Sequence, residues 1–336
     1  MDNSTPKVKA LGLCSGGLDS MLAALVLKRQ MIDVTWVAFE TPFFSSVNAR
    51  KASEHTGIPL IVEQITPAYM DMLKNPRAGY GKNMNPCMDC HALMFRLAGE
   101  IMARDRYDFL FSGEVVGQRP MSQRKQAMRY VEKHSGMEGV ILRPLSARLL
   151  PETDVEKKGL VDRSRLLGLS GRSRKPQIGL AGEFGITEYP APAGGCLLTD
   201  PGYSRRLKDL FDHEQDIQEA DLHLLKYGRH LRMHATLKLV VGRNQKENND
   251  IETLVGDNPD RYILLTPHSF AGPRVVVLGT ASREDLKEAA AICVGYSKVP
   301  PGRSGEVMIR QGASHGGELM TVTGRSPDEL RPFIMV

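Results

Sequence analysis

Long hydrophobic runs are missing from this 336-residue sequence. No apolar stretch approaches the roughly 20 residues of a membrane span, and the N-terminus, MDNSTPKVKA, has no apolar signal segment. A cytoplasmic protein with no membrane association is expected. Cysteine is scarce: five residues, an odd number in a chain of this size, argue against a disulfide framework. Charge of one sign is not in excess either. The 44 basic and 39 acidic residues leave +5, so only local clustering could announce a nucleic-acid binder. No internal repeat or low-complexity tract is apparent, and the Arg/Ser/Gly-rich stretch from Arg163 to Lys175 reads as a mobile basic loop.

What is present suits two globular domains, with 41% apolar and 25% charged residues. The first half alternates short apolar strands (Val8 to Leu13, Val34 to Phe39, Leu60 to Ile65, Phe109 to Phe111, Val140 to Leu142) with longer helical patterns. That alternation predicts an α/β fold, a parallel sheet with helices on both faces and binding sites at the carboxyl ends of its strands. Thr153 and Glu156 have capping-box spacing. A helical stretch from about Ser204 to Tyr227 ends at Gly228, and the texture then turns β-rich, with one helix near Glu284 to Tyr296. We expect a first domain over 1–214 and a smaller C-terminal α+β domain over 215–336.

The segment CSGGLDS follows the first strand and opens the first helix. Gly16 and Gly17 let the backbone approach an anion, and the helix starting near Asp19 adds its positive end, which makes a pyrophosphate site. The Gly-Lys-Ser/Thr ending of a Walker loop is lacking, so a kinase or motor ATPase is not indicated. Asp19 could hold magnesium, while Ser15 and Ser20 could donate to phosphate oxygens. Cys87 and Cys90 form a C-x-x-C before a helix, where a helix N-terminus favours thiolates. Cys196 follows in PAPAGGCLLTD, flanked by glycines that give the sulfur room. These three could hold zinc with His91 as fourth ligand, or an iron-sulfur cluster with one iron open. Cys14 and Cys293 read as small core residues.

SGGLDS resembles the signature of the PP-loop, or N-type ATP pyrophosphatase, superfamily, with an adenine nucleotide alpha hydrolase-like fold. The resemblance implies ATP contacts from Ser15, Gly16, Gly17, Leu18, Asp19 and Ser20. The run from Phe111 to Gln123 resembles the G-E-S-L-G-Q-x-x-S-Q-T motif of the tRNA 4-thiouridine synthase family, matched by Gly113, Glu114, Gly117, Gln118, Ser122 and Gln123. Gly113, Glu114 and Gln118 would then also serve ATP. The Cys90 to Ala98 run and Arg143-Pro144-Leu145 look like that family's catalytic-cysteine helix and R-P-L. Asn85-Pro86-Cys87-x-x-Cys90 is similar to the tRNA 2-thiouridylase motif. The 4-thiouridine synthases carry an RNA-binding region before the loop and some a rhodanese domain after it, whereas in this sequence the loop begins at Ser15 and no rhodanese-like active-site loop is apparent.

Residues 235–254, the segment GPRVVV and the helix EDLKEAAAICVGYSK look, in that order, like the RNA-binding domain of the NFACT proteins. Arg229, Arg232, Arg243, Asn244, Lys246 and Asn248 are the candidate RNA contacts, the last four in what reads as a polar loop. Together these resemblances imply a tRNA sulfurtransferase. It would use ATP and Mg2+ to adenylate a uridine oxygen and would introduce sulfur with Cys87, Cys90, Cys196 and Asp19 as catalytic residues. The three cysteines would carry a [4Fe-4S] cluster, with zinc or no metal as the alternative and a persulfide on one cysteine in the metal-free case. Implied partners are tRNA and a sulfur donor (a cysteine desulfurase, a sulfur carrier or sulfide), with a homodimer left open. A PP-loop ligase with structural zinc and a nonenzymatic RNA-binding nucleotide sensor are the competing readings.

Overall fold

The computed structural model describes residues 7–191, 196–311 and 316–335. The elements follow in the order β1 (Lys9–Leu13), α1 (Leu18–Lys28), β2 (Asp33–Glu40), α2 (Val47–Thr56), β3 (Leu60–Gln64), α3 (Thr66–Lys74), α4 (Cys87–Asp105), β4 (Phe109–Ser112), α5 (Lys125–Ser135), β5 (Ile141–Leu142), α6 (Asp154–Lys157) and α7 (Lys175–Glu183). Then come α8 (Pro201–His213), α9 (Glu219–Leu224), β6 (Arg229–His234), β7 (Leu237–Val241), α10 (Gln245–Gly256), β8 (Tyr262–Pro267), β9 (Val275–Leu278), α11 (Arg283–Gly295), β10 (Ser304–Gln311), β11 (Glu318–Thr323) and α12 (Pro327–Leu330). Chain contacts divide them into units of 1–197 and 198–336. The break falls earlier than the expected 214/215 because α8 is tied to the second unit: Asp209 pairs with Arg232 and Lys238, and the Tyr203 hydroxyl donates to the Leu222 carbonyl.

In the first unit, among the described residues, five strands form the expected parallel sheet in the order β3-β2-β1-β4-β5. Burial on both faces explains their near-continuous apolar sequences. Trp36, Phe109, Phe111 and Leu22 lie in a core shared with α1, where Leu18, Met21 and Leu22 are buried. Chain order reverses at β1, whose neighbours are β2 and β4, so the crevice for a ligand opens beyond the carboxyl ends of β1 and β4. The capping box at Thr153 and Glu156 is formed. The supposed mobile basic loop is instead anchored. Arg163 pairs with Glu156 and donates to the Ala147 and Leu150 carbonyls, and Arg165 donates to the Arg29 carbonyl.

The second unit is an antiparallel sheet ordered β11-β10-β8-β9-β7-β6, with α11 packed on an apolar face built from Leu239, Ile263, Val277 and Val307. Among the described residues no helix is long and apolar enough to cross a membrane.

Candidate active site

The phosphate loop leaves β1 at Leu13 and enters α1 with Gly17 as N-cap. Gly16 has φ +73°, and a Cβ there would stand 2.1 Å from the Asn48 backbone, so only glycine fits. The Gly16 amide donates to the Cys14 sulfur at 3.3 Å, and the Cys14 thiol donates to the Ser20 hydroxyl at 3.7 Å. Cys14 thus braces the loop from the core side, and burial pushes its thiol up to about 11. The Ser20 hydroxyl donates to the Gly17 carbonyl at 2.7 Å, so it closes the first turn instead of reaching outward as expected. Ser15 is exposed, and the Leu18 side chain is buried in the core, leaving that residue only its amide to offer. The first amides of α1 lack intrahelical acceptors by position and suit an anion.

The loop after β4 closes over the same helix end. A Cβ on Gly113 would lie 2.4 Å from the Asp19 carbonyl carbon, which is why glycine stands there. Gln118 Nε2 donates to Asp19 Oδ2 at 2.7 Å, and Gln118 Oε1 accepts from Gln177 Nε2 at 3.1 Å. The other oxygen, Asp19 Oδ1, is buried with no partner among the described residues. An orphaned carboxylate oxygen at a phosphate loop is a fitting ligand for magnesium. A cleft of about 220 Å³ borders Gly16, with Asn48, Lys51, His55 and Tyr189 in its wall. Sequence reading missed these residues, because α2, which carries Asn48, Lys51 and His55, and the segment after α7, which carries Tyr189, reach the loop only through the fold.

Glu114 does not face the phosphate loop as the motif suggested. Its carboxylate accepts from Arg143 Nε at 2.9 Å and Ser112 Oγ at 3.0 Å, and lies 3.0 Å from His91 Nδ1. Burial alone would raise this carboxyl, but Arg143 and His91 overcome it and hold it at about 2. Arg143 is itself buried and also pairs with Glu132. The R-P-L arginine, the GEVVGQ loop and the cysteine helix are therefore joined through one carboxylate.

Cys87 begins α4 and its sulfur accepts from Asn85 Nδ2 at 3.3 Å, with Cys90 one turn on. Burial, then the nearby Cys196 and Cys87 sulfurs, push the Cys90 thiol up to about 12, so burial outweighs the thiolate preference expected at a helix start. Tyr69 is buried beside these sulfurs, and burial and Cys90 raise its phenol well above the usual value. Phe43 and Phe44 pack against its ring at 5.4 Å each. Cys87 and Cys90 share the first turn of α4, and Cys196 lies within electrostatic reach of Cys90, where a cationic group would favour the ionised sulfurs. Still, no three His, Cys, Asp or Glu side chains form a metal-ligand group among the described residues. The glycines before Cys196 lie outside the described residues.

In the second unit, the expected polar loop is the start of α10. Asn244 caps the helix, its side chain accepting from the Glu247 amide at 3.0 Å. Asn248 is buried and accepts from the Arg274 amide at 3.0 Å. Arg243 pairs with Glu247, Arg232 is held by Asp209 at 2.8 Å, and the Arg229 guanidinium lies 5.2 Å from the Tyr296 ring centroid. Lys246 is exposed on the first turn of α10. Of the six candidates, Asn248 and Arg232 are committed to the fold.

Two family models match. Residues 6–149 match the thiamine biosynthesis protein (ThiI) model, and residues 228–334 match the NFACT protein RNA binding domain. The chain thus carries a ThiI-like stretch in its first unit and a stretch similar to the NFACT RNA binding domain in its second, neither spanning half of the chain. Gln177 and Cys196 lie between the two matched spans. No curated protein matches the chain. Among solved structures, a predicted subunit of tRNA methyltransferase from Methanocaldococcus jannaschii aligns with 52% of this chain and 76% of its own at 16% identity and a TM-score of 0.35. The C-terminal part of the fibronectin/fibrinogen-binding protein from Streptococcus suis aligns at 13% identity, 74% and 90% coverage and a TM-score of 0.28. NMN synthetase from Francisella tularensis aligns at 12% identity, 56% and 91% coverage and a TM-score of 0.28.

Proposed function

We propose that this chain is an ATP-dependent tRNA sulfurtransferase that converts a uridine to thiouridine. The ThiI-family domain activates the base and the NFACT-type domain holds the RNA. The loop amides and the α1 N-terminus bind the departing pyrophosphate, and magnesium on Asp19 would neutralise its charge. The uridine carbonyl oxygen attacks the α-phosphate of ATP and pyrophosphate leaves, making AMP the leaving group at that carbon. The base must be unstacked or unpaired to enter.

Sulfur then attacks the activated carbon and AMP is expelled. Cys87, Cys90 and Cys196 are the residues that would hold a [4Fe-4S] cluster, whose part would be to present that sulfur. The electrostatic influence of Cys196 on Cys90 also supports a second mode. A persulfide on Cys90 attacks the carbon, and the Cys196 thiolate then attacks the Cys90 sulfur. That step forms a disulfide and leaves the outer sulfur on the base.

The observation that supports this reading most is the hydrogen bond from Gln118 to Asp19, which joins the ThiI-type loop after β4 to the phosphate loop. Nucleoside mass spectrometry of tRNA from cells lacking the gene tests it. We expect one thiouridine to disappear, to return with the wild-type gene and not with Cys90→Ser. If every thiolated nucleoside persists in the deletion strain, the reading fails. Brown protein from anaerobic purification would favour the cluster over the persulfide, and colourless protein with stoichiometric zinc would favour a ligase.

A further inference from the structure

We infer that Gln177 is a positioning residue that fixes the Gln118 amide, so that Asp19 keeps one carboxylate oxygen open toward the magnesium-pyrophosphate group. This deepens the proposed function and rests on it. A carboxylate only accepts hydrogen bonds, so Gln118 must turn its NH2 toward Asp19 Oδ2, 2.7 Å away. Its Oε1 then points the other way and needs a donor. Gln177 Nε2 supplies it at 3.1 Å from α7, and the Gln177 side chain is only 1% exposed.

The chain reaches that place by design of the fold. The Gly171 amide donates to the Val116 carbonyl at 2.8 Å, which docks the strand of chain before α7 on the GEVVGQ loop, and α7 packs on α1, which carries Asp19. Gln177 Oε1 is buried with no partner among the described residues, as is Asp19 Oδ1. An unpaired buried acceptor lowers stability, so packing does not account for an amide here; an apolar side chain of that size would pack without the cost. Without Gln177 the Gln118 Oε1 loses its donor, nothing on that side holds the side chain against Asp19, and the carboxylate is free to rotate away from the loop.

The test uses the full chain and measures Mn2+ uptake in the presence of ATP, from the loss of the free Mn2+ electron paramagnetic resonance signal beyond the loss that the same ATP causes without protein. Gln177→Met should weaken uptake about tenfold or more, the size of effect seen when a partner that orients a metal ligand is removed. Its melting temperature should change little, since the unpaired Gln177 acceptor is gone while Gln118 Oε1 loses its donor. Gln177→Glu, which offers Gln118 Oε1 no donor, should show the same loss if it folds. In a Gln118→Ala background, Gln177→Met should add nothing. Unchanged uptake in Gln177→Met, or an equal loss in the Gln118→Ala background, overturns this inference and leaves the proposed function standing. Wild-type chain that takes up no Mn2+ with ATP overturns both.

Discussion

Glu114 shows how a residue in a nucleotide-site motif can serve the scaffold instead. Replacing it with Gln leaves the buried Arg143 guanidinium to Glu132 alone among its charged partners, and should destabilise the first unit by about 1–3 kcal/mol in urea unfolding. The pH dependence has a definite sign. The folded-state pKa is about 2 against the usual 4.5, so this contribution is complete above pH 4.5 and is lost as pH falls through about 2. Glu114→Gln should therefore flatten the acid limb of the stability profile in that window. Cys90 gives a second prediction at this scale. With its thiol pushed up to about 12, the resting protein holds it protonated at pH 8, and iodoacetamide should label it more slowly than a free cysteine. Faster labelling, read by mass spectrometry, would contradict this.

At the scale of elements, α10 separates binding from folding. Lys246→Ala should weaken RNA binding alike across sequences and lower the salt slope by about 1. Asn248→Ala removes the acceptor of the Arg274 amide and should instead cost about 1–3 kcal/mol of stability. Strands β1, β2 and β4 were legible because most of their residues are buried and apolar, and the half-buried β3 because of its Leu60-Ile61-Val62 run. Their binding loop was legible because Gly16, Gly17 and Asp19 follow one another in the chain. In α10 the buried side is sparse, only Asn248, Ile251 and Val255, so its first turns pass for a loop; Asn244 followed by Glu247 was the signal that could have found it. In β6, Arg232 looked like an RNA contact because its partner, Asp209, comes from α8, which the sequence alone does not bring to it. Gln177 sits in a stretch rich in Arg, Ser and Gly, and its partner is 59 residues away, so no local pattern marks it.

At the scale of the molecule, each unit has its own apolar core. Mg-ATP should therefore slow amide hydrogen exchange in residues 7–191 and leave the sheet of the second unit unchanged, measured on the full chain. Protection confined to the second unit would count against a nucleotide site at Asp19. Synthesis order adds another constraint. The phosphate loop leaves the ribosome well before the groups that hold Asp19, which lie 99 residues on at Gln118 and a further 59 at Gln177. A nascent chain can thus display the SGGLDS sequence well before it owns a formed site. ATP offers no help to that early intermediate, and the central strand β1 must wait unpaired on one edge until β4 is made, a vulnerable interval in which chaperone capture is favoured over self-completion.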